Sequence, residues 1–142
     1  MIRVLRDLDL PSVMEIWLEG NRKAHDFVPE SYWAEHYGEV KEILPQAQVL
    51  VYEDEESGEI LGFIGLTGSY IAGIFVKEAA RSRGIGRQLL DHVKERKGEL
   101  RLSVYQKNVR AAAFYEREGF KVEKEQTDSD TGEKEFVMRW RN

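Results

Sequence analysis

Val76-Lys77-Glu78-Ala79-Ala80-Arg81-Ser82-Arg83-Gly84-Ile85-Gly86-Arg87-Gln88-Leu89-Leu90 passes from an apolar segment, through a basic glycine-containing turn, into an amphipathic pattern. Ahead of the turn, Ile71-Ala72-Gly73-Ile74-Phe75-Val76 has the composition of a buried strand. Behind it, Ile85, Leu89, Leu90 and Val93 share one helical face, opposite Arg87, Asp91, Lys94 and Glu95. Gly84 and Gly86 have no Cβ, so unusual dihedrals and a close approach of ligand to backbone are both open to them. A helix that starts there offers free N–H groups and the positive end of its dipole, which together attract an anion. Arg81, Arg83 and Arg87 add three positive charges around that opening. The segment therefore predicts a site for a ligand with several phosphates.

Two known phosphate loops do not match. A nucleoside-triphosphate loop needs Lys-Ser/Thr after its last glycine, and this segment has none. A dinucleotide fingerprint needs a third small residue for tight helix–strand packing, where this chain has Leu89. The remaining pattern, Arg-x-x-Gly-x-Gly after a strand, resembles the acetyl-coenzyme A loop of the GNAT superfamily of N-acetyltransferases. By that resemblance Arg81, Ser82, Arg83, Gly84, Ile85, Gly86 and Arg87 would hold the cofactor's diphosphate.

The chain has 142 residues, enough to bury about two-thirds of its unfolded surface as one domain over 1–142. It has no cysteine, which excludes disulfides, thiolate catalysis and a cysteine-borne acetyl group. His25, His36 and His92 lack ligand spacing with one another or with paired carboxylates, so no metal is expected. The start lacks the apolar stretch of a signal peptide and no run reaches membrane-spanning length, so a soluble cytoplasmic protein without a membrane partner is expected. A net charge of −5 argues against a nucleic-acid partner and suits a cationic amine. A monomer and a homodimer fit equally well.

Ile2 to Arg6 alternates like a strand, and Asp9 or a neighbour is placed to cap a helix with Pro11 in its first turn and Val13, Ile16 and Trp17 inward. Asn21 to Pro29 is expected to be a loop, and Ser31 to Leu44 a second helix closed by Pro45. Val49 to Glu53 and Ile60 to Leu66 form a predicted hairpin around Asp54-Glu55-Glu56-Ser57-Gly58, and a turn at Gly68-Ser69 leads to Tyr70–Val76. Leu100 to Tyr105 alternates as a strand, Asn108 to Glu118 is a helix stopped by Gly119, and two strands, 120–125 and 134–140, close the chain. These periodicities alone support an α+β sheet domain. The GNAT resemblance spans nearly the whole chain and implies a three-layer fold with a mixed, mostly antiparallel sheet, flanking helices, and strands four and five splayed around the cofactor arm.

Val104-Tyr105-Gln106-Lys107-Asn108-Val109-Arg110-Ala111-Ala112-Ala113-Phe114-Tyr115-Glu116-Arg117-Glu118-Gly119-Phe120 resembles the family segment in which an asparagine precedes a helix with Phe-Tyr and then Gly-Phe. Seven residues separate Asn108 from Tyr115, which sets them on nearly one side about 10 Å apart along the axis. The resemblance implies that Asn108 bonds the cofactor arm, with helix capping as an equal alternative. It also implies that Tyr115 meets the sulfur, and that a backbone N–H at Val76, beside Ile74 and Phe75, receives the developing oxyanion.

Acetyl transfer requires a neutral amine, and a lysine side chain near pKa 10.4 gives up its proton less readily than an α-amine near 8. The thiol of the leaving group, near pKa 8.5, is a stronger acid than a phenol near 10, so full proton transfer from Tyr115 to the departing thiolate would cost roughly 2 kcal/mol. Hydrogen-bond donation followed by later protonation is the expected role. Some relatives place a glutamate base on the fourth strand, and this chain has none there. His25 is the candidate proton relay, with Glu15, Glu78 or water past Tyr105 as other routes. Phe27, Trp33 and Tyr105, together with Tyr32, are candidates to line the acceptor site. The expected function is transfer of acetyl from acetyl-CoA to a protein lysine, an N-terminus or a small amine by direct attack in a ternary complex. A coenzyme A-binding module without turnover, or a transferase of longer acyl chains, are the other readings.

Overall fold

In the computed structural model, which describes residues 1–142, the chain builds one seven-stranded sheet and four helices. The strands are β1 (Ile2–Val4), β2 (Gln48–Glu53), β3 (Ile60–Thr67), β4 (Tyr70–Val76), β5 (Glu99–Tyr105), β6 (Lys121–Thr127) and β7 (Lys134–Arg141). The helices are α1 (Leu10–Ala24), α2 (Glu30–Ile43), α3 (Ile85–Lys94) and α4 (Val109–Arg117). Spatial order is β1-β2-β3-β4-β5-β7-β6, and every neighbouring pair is antiparallel except β4 and β5. The expected α+β class with a mixed sheet is therefore the fold.

Helices cover both faces of the sheet, and the strand composition follows from that. Every residue of β3 from Ile60 to Leu66 is buried, as a strand covered on both sides must be. On one face Ile64, Ile71, Leu100 and Leu102 pack with Ile85, Leu89, Leu90 and Val93 of α3 and with Tyr115 of α4. On the other, Val51 and Phe63 pack with Val13, Met14, Ile16 and Trp17 of α1 and Trp33 of α2. The inward face foreseen for α3 is the one observed; Leu89 and Leu90 are fully buried, each contributing about 2 kcal/mol by transfer from water.

Three expectations change. The segment 21–24 is the last turn of α1 rather than loop, because the Asn21 side-chain amide donates to the Trp17 carbonyl at 2.9 Å and keeps its polarity inside the helix. Asp9 does not cap α1. Its carboxylate accepts the Arg6 N–H at 2.7 Å and the Arg3 guanidinium at 2.7 and 2.9 Å, closing a 3-10 turn over Asp7–Asp9. Lys94, placed on the outer face of α3, is half-buried; its ammonium lies over the Phe120 and Trp140 rings and donates to the Glu118 carbonyl.

The two sheet edges differ from the interior. β1 is three residues long, and all seven residues of β6 are exposed and mostly charged or polar, with a register shift between Val122 and Lys124.

Candidate active site

The sheet is split at its centre. β4 and β5 pair only at Tyr70↔Arg101 and Ile71↔Leu102, although they continue to Val76 and Tyr105. The β3–β4 register passes from Leu66↔Ile71 to Gly65↔Gly73, so Ala72 is an extra residue on β4. Such a bulge bends its strand, and this one bends where the pairing with β5 stops. The Lys77 N–H donates to the Leu61 carbonyl at 2.8 Å, which fixes the phase of the β3–β4 ladder. In that phase Gly73 and Phe75 exchange backbone bonds with β3, while the backbone groups of Ile74 and Val76 point to the side that β5 has left. The expected backbone contact thus narrows to Ile74 and Val76. Phe75 contributes its ring instead, stacked on Phe63 with centroids 5.2 Å apart. A Cβ on Gly73 would lie 2.5 Å from that ring and one on Gly20 3.0 Å, so both glycines make room for it.

Beyond Val76 the chain turns through Glu78–Ala80 and reaches α3 by two left-handed residues, Ser82 at φ 66° and Gly84 at φ 74°. No side chain caps α3, and the Gln88 N–H to Gly84 carbonyl bond at 3.0 Å is the first of its ladder. The N–H groups of Ile85, Gly86 and Arg87 stay without partners. Arg81 and Arg83 form no ion pair, and Arg87 stands 3.8 Å from Asp91 and 3.7 Å from Glu118. A Cβ on Gly86 would lie 3.6 Å from Phe114 and 3.8 Å from Val76, which places the start of α3 beside the split and against α4. Free N–H groups and unpaired guanidinium groups in a chain of net charge −5 fit a diphosphate.

Helix α4 starts differently. The Asn108 Oδ1 accepts the Ala111 N–H at 3.2 Å, so the capping role is realised. Seven residues on, Tyr115 is 8 % exposed, flanked by Phe114 and Phe120 with centroids at 5.3 and 5.6 Å. Burial raises the phenol's pKa, helped by Tyr70, so Tyr115 is a neutral donor at ordinary pH. Gly119 has φ 95°, the left-handed stop foreseen after this helix, and the Phe120 N–H bonds the Tyr115 carbonyl at 2.9 Å.

On the α1–α2 side, residues far apart in sequence meet. The His25 ring lies 5.7 Å from Phe27, 5.4 Å from Trp33 and 4.9 Å from Tyr105, and Phe27 lies 5.5 Å from Tyr105. Trp33 is 7 % exposed and edge-on to Trp17 at 6.1 Å, so it supports this surface from the core rather than forming it. His25 Nδ1 lies 3.1 Å from Asn21 Oδ1 and Nε2 lies 3.0 Å from Asn108 Nδ2. Burial lowers its pKa to about 4. Both ring nitrogens are engaged, so His25 has no lone pair free for an amine's proton, and the expected proton relay is corrected on that ground.

Two carboxylates that the sequence did not bring to notice close this side. The Tyr105 hydroxyl donates to Asp128 at 2.6 Å and the Tyr32 hydroxyl to Asp130 at 3.4 Å, both from the β6–β7 turn. Burial and Tyr105's bond to Asp128 raise that phenol's pKa; burial and the nearby Asp128 charge raise Tyr32's to about 12. The signal in sequence was faint, an acidic Asp128-Ser129-Asp130 turn, because nothing local says which strand end it covers. Beside the end of β4 lies a cavity of about 350 Å³ walled by Glu15, Glu19, Gly20, Val76, Glu78 and Arg81. Lys23 pairs with Glu78 and holds its carboxyl below the usual range, while Lys77 pairs with Glu59. Glu15 has no such partner.

A split sheet with inward backbone donors and a bare helix start for a diphosphate defines an acyltransferase that draws its acyl group from a coenzyme A thioester. Comparison with known proteins agrees. The model of the acetyltransferase (GNAT) domain matches residues 45–122. Peptidyl-lysine N-acetyltransferase YiaC of Escherichia coli (strain K12) is 36 % identical over 142 residues, covering 99 % of this chain and 96 % of that protein. Peptidyl-lysine N-acetyltransferase YjaB of Salmonella typhimurium is 32 % identical over 121 residues, 85 % of this chain and 83 % of that one. The solution structure of apo-form YjaB from Escherichia coli superposes with a TM-score of 0.88 at 27 % identity, covering 99 % of this chain and 96 % of that one. The chain belongs to the GNAT acetyltransferase family and transfers an acetyl group from acetyl-CoA to an amine.

Proposed function

We propose that the acceptor is a lysine side chain of a protein or peptide and that acetyl passes to it directly, with both substrates bound at once. The observation that carries this reading is the parting of β4 from β5 after Ile71 and Leu102, with the Val76 backbone turned into the gap. On the α3–α4 face the bare N–H groups of Ile85, Gly86 and Arg87, with Arg81, Ser82, Arg83 and Gly84, hold the diphosphate. Acetyl-CoA supplies an activated carbonyl and a thiolate leaving group. The Val76 N–H, with Ile74 beside it, receives the negative charge that grows on the carbonyl oxygen.

On the α1–α2 face the cavity beside Val76 admits the acceptor, and Glu15, which has no ion-pair partner there, suits a cationic side chain on approach. Phe27 and Tyr105, packed edge to face at 5.5 Å, are the aromatic contacts we assign to the acceptor. The new bond joins nitrogen to carbonyl carbon, the carbon–sulfur bond breaks, and the amine's proton leaves to solvent. Tyr115, kept protonated by burial, donates a hydrogen bond to the departing sulfur. The names of YiaC and YjaB, peptidyl-lysine N-acetyltransferases, support a lysine acceptor. Tyr115→Phe should lower kcat on a lysine peptide about 100-fold, the scale of one positioned proton donor, with little change in the KM of acetyl-CoA. Thiol release measured on lysine peptides, N-terminal peptides and polyamines checks it; full activity of Tyr115→Phe, or preference for an α-amine, overturns the assignment.

A further inference from the structure

Asn21, His25 and Asn108 form a chain of hydrogen bonds whose direction the backbone sets at both ends. The Asn21 Nδ2 donates to the Trp17 carbonyl at 2.9 Å, which leaves its Oδ1 toward His25 Nδ1 at 3.1 Å. The Asn108 Oδ1 accepts the Ala111 N–H at 3.2 Å, which leaves its Nδ2 toward His25 Nε2 at 3.0 Å. The ring nitrogen that faces an oxygen must carry a hydrogen, and the one that faces an NH₂ must offer a lone pair. Only the neutral Nδ1–H imidazole meets both conditions. The other tautomer sets donor against donor and acceptor against acceptor, and the charged ring sets N–H against NH₂.

The chain of bonds runs between parts of the molecule that share a side-chain core but little backbone pairing. Helix α1 packs on β3 and β4, and α4 packs on β5. Those halves share only two backbone residue pairs, at the far end of the split. At the open end the hydrogen-bonded chain leads from the end of α1 to the residue that caps α4, with the ring held against Phe27, Trp33 and Tyr105. Asn21 is 4 % exposed, so its oxygen has no ready substitute partner in water.

We propose that His25 is a positioning residue, a neutral Nδ1–H imidazole that pins the start of α4 to the end of α1 and so sets Asn108 and Tyr115 over the split. The effect on turnover rests on the placement of the acetyl donor in that split; the tautomer does not. Long-range proton–nitrogen NMR of the unliganded wild-type protein at neutral pH reads the tautomer directly. The expected signature is a protonated Nδ1 with an unprotonated Nε2; an Nε2–H ring or a charged one overturns the proposal, whatever ligand the protein binds.

His25→Gln offers one donor and one acceptor in place of the ring nitrogens and exchanges no proton near neutral pH. His25→Phe keeps the aromatic packing and deletes both bonds. The expected result is a KM for acetyl-CoA raised roughly tenfold in His25→Phe, the scale of buried polar groups left unpaired, and restored toward wild type in His25→Gln. Equal loss of kcat in both variants, with KM unchanged, would mean that the ring carries a proton and would overturn the proposal. Should His25→Phe fail to fold, Asn21→Ala cuts the far end of the chain and is expected to raise the same KM; an unchanged KM there counts against the proposal.

Discussion

Helices α3 and α4 both start at the open end of the split sheet, yet α3 starts bare behind Gly84 whereas α4 starts under the Asn108 side chain. Each is amphipathic, and each buries its inner face in the same core. The difference lies in who completes the first turn. At α4 the protein does so itself, with an asparagine whose amide is further tied to His25. At α3 two left-handed residues lead into the helix and no side chain reaches back to the free N–H groups. An end left incomplete beside two unpaired arginines is a place for a ligand; an end completed from within is a fixed point. One helix start binds and the other holds still.

Three substitutions break or sharpen this contrast. Gly84→Val has the largest expected effect. A β-branched residue at φ 74° is strained by more than the 1–2 kcal/mol typical of the left-handed region. The Cβ itself would meet only Gln88 at 3.9 Å, so the damage falls on the turn that shapes the anion site. Coenzyme A affinity by calorimetry should drop about thirtyfold for a loss near 2 kcal/mol, with a folded core by near-ultraviolet circular dichroism. Normal affinity would mean that the bare helix start is not the diphosphate site. Arg83→Glu comes next. It exchanges an unpaired cation for an anion at an exposed position, for roughly a tenfold weakening at low salt that shrinks as ionic strength rises. A loss indifferent to salt would deny the charge a direct part. Asn108→Ala is the smallest on binding. It should cost about 1 kcal/mol of stability by loss of the cap and, because it also cuts the bond to His25, weaken coenzyme A by no more than the roughly tenfold expected for His25→Phe. If it proves more damaging than that for affinity, Asn108 touches the cofactor itself and the contrast between the two helix starts fails.

Much of this was legible in the residue order. The α3 face of Ile85, Leu89, Leu90 and Val93, the stop at Gly119 and the strand boundaries of β3 and β4 follow from local periodicity and from backbone conformations that few residues tolerate. The basic turn before α3 is also local, and so is its chemistry. What escaped notice depends on distance. The bulge at Ala72 is a fault in register between two strands, and alanine carries no mark of it. The last turn of α1 hides behind Gly20 and Asn21, which look like loop formers until the Phe75 ring is seen to need the first and the Trp17 carbonyl to hold the second. His25 stood out for its chemistry, but its partner Asn108 lies 83 residues away, and that pairing turns a candidate base into a ring with no free nitrogen. Asp128 and Asp130 were ordinary turn acids until the fold brought them to Tyr105 and Tyr32.

The outer edges of the sheet carry a consequence of their own. A protein that must keep backbone groups unpaired at the centre of a sheet runs the hazard of templating further strands, from its own copies or from unfolded neighbours. Here the unsatisfied groups of Ile74 and Val76 face an interior gap between helices, while the outer margins offer a three-residue β1 and a charged, register-broken β6. Fibrillar growth finds no long flat margin on which to begin, so concentrated protein can stay dispersed even with its centre held open.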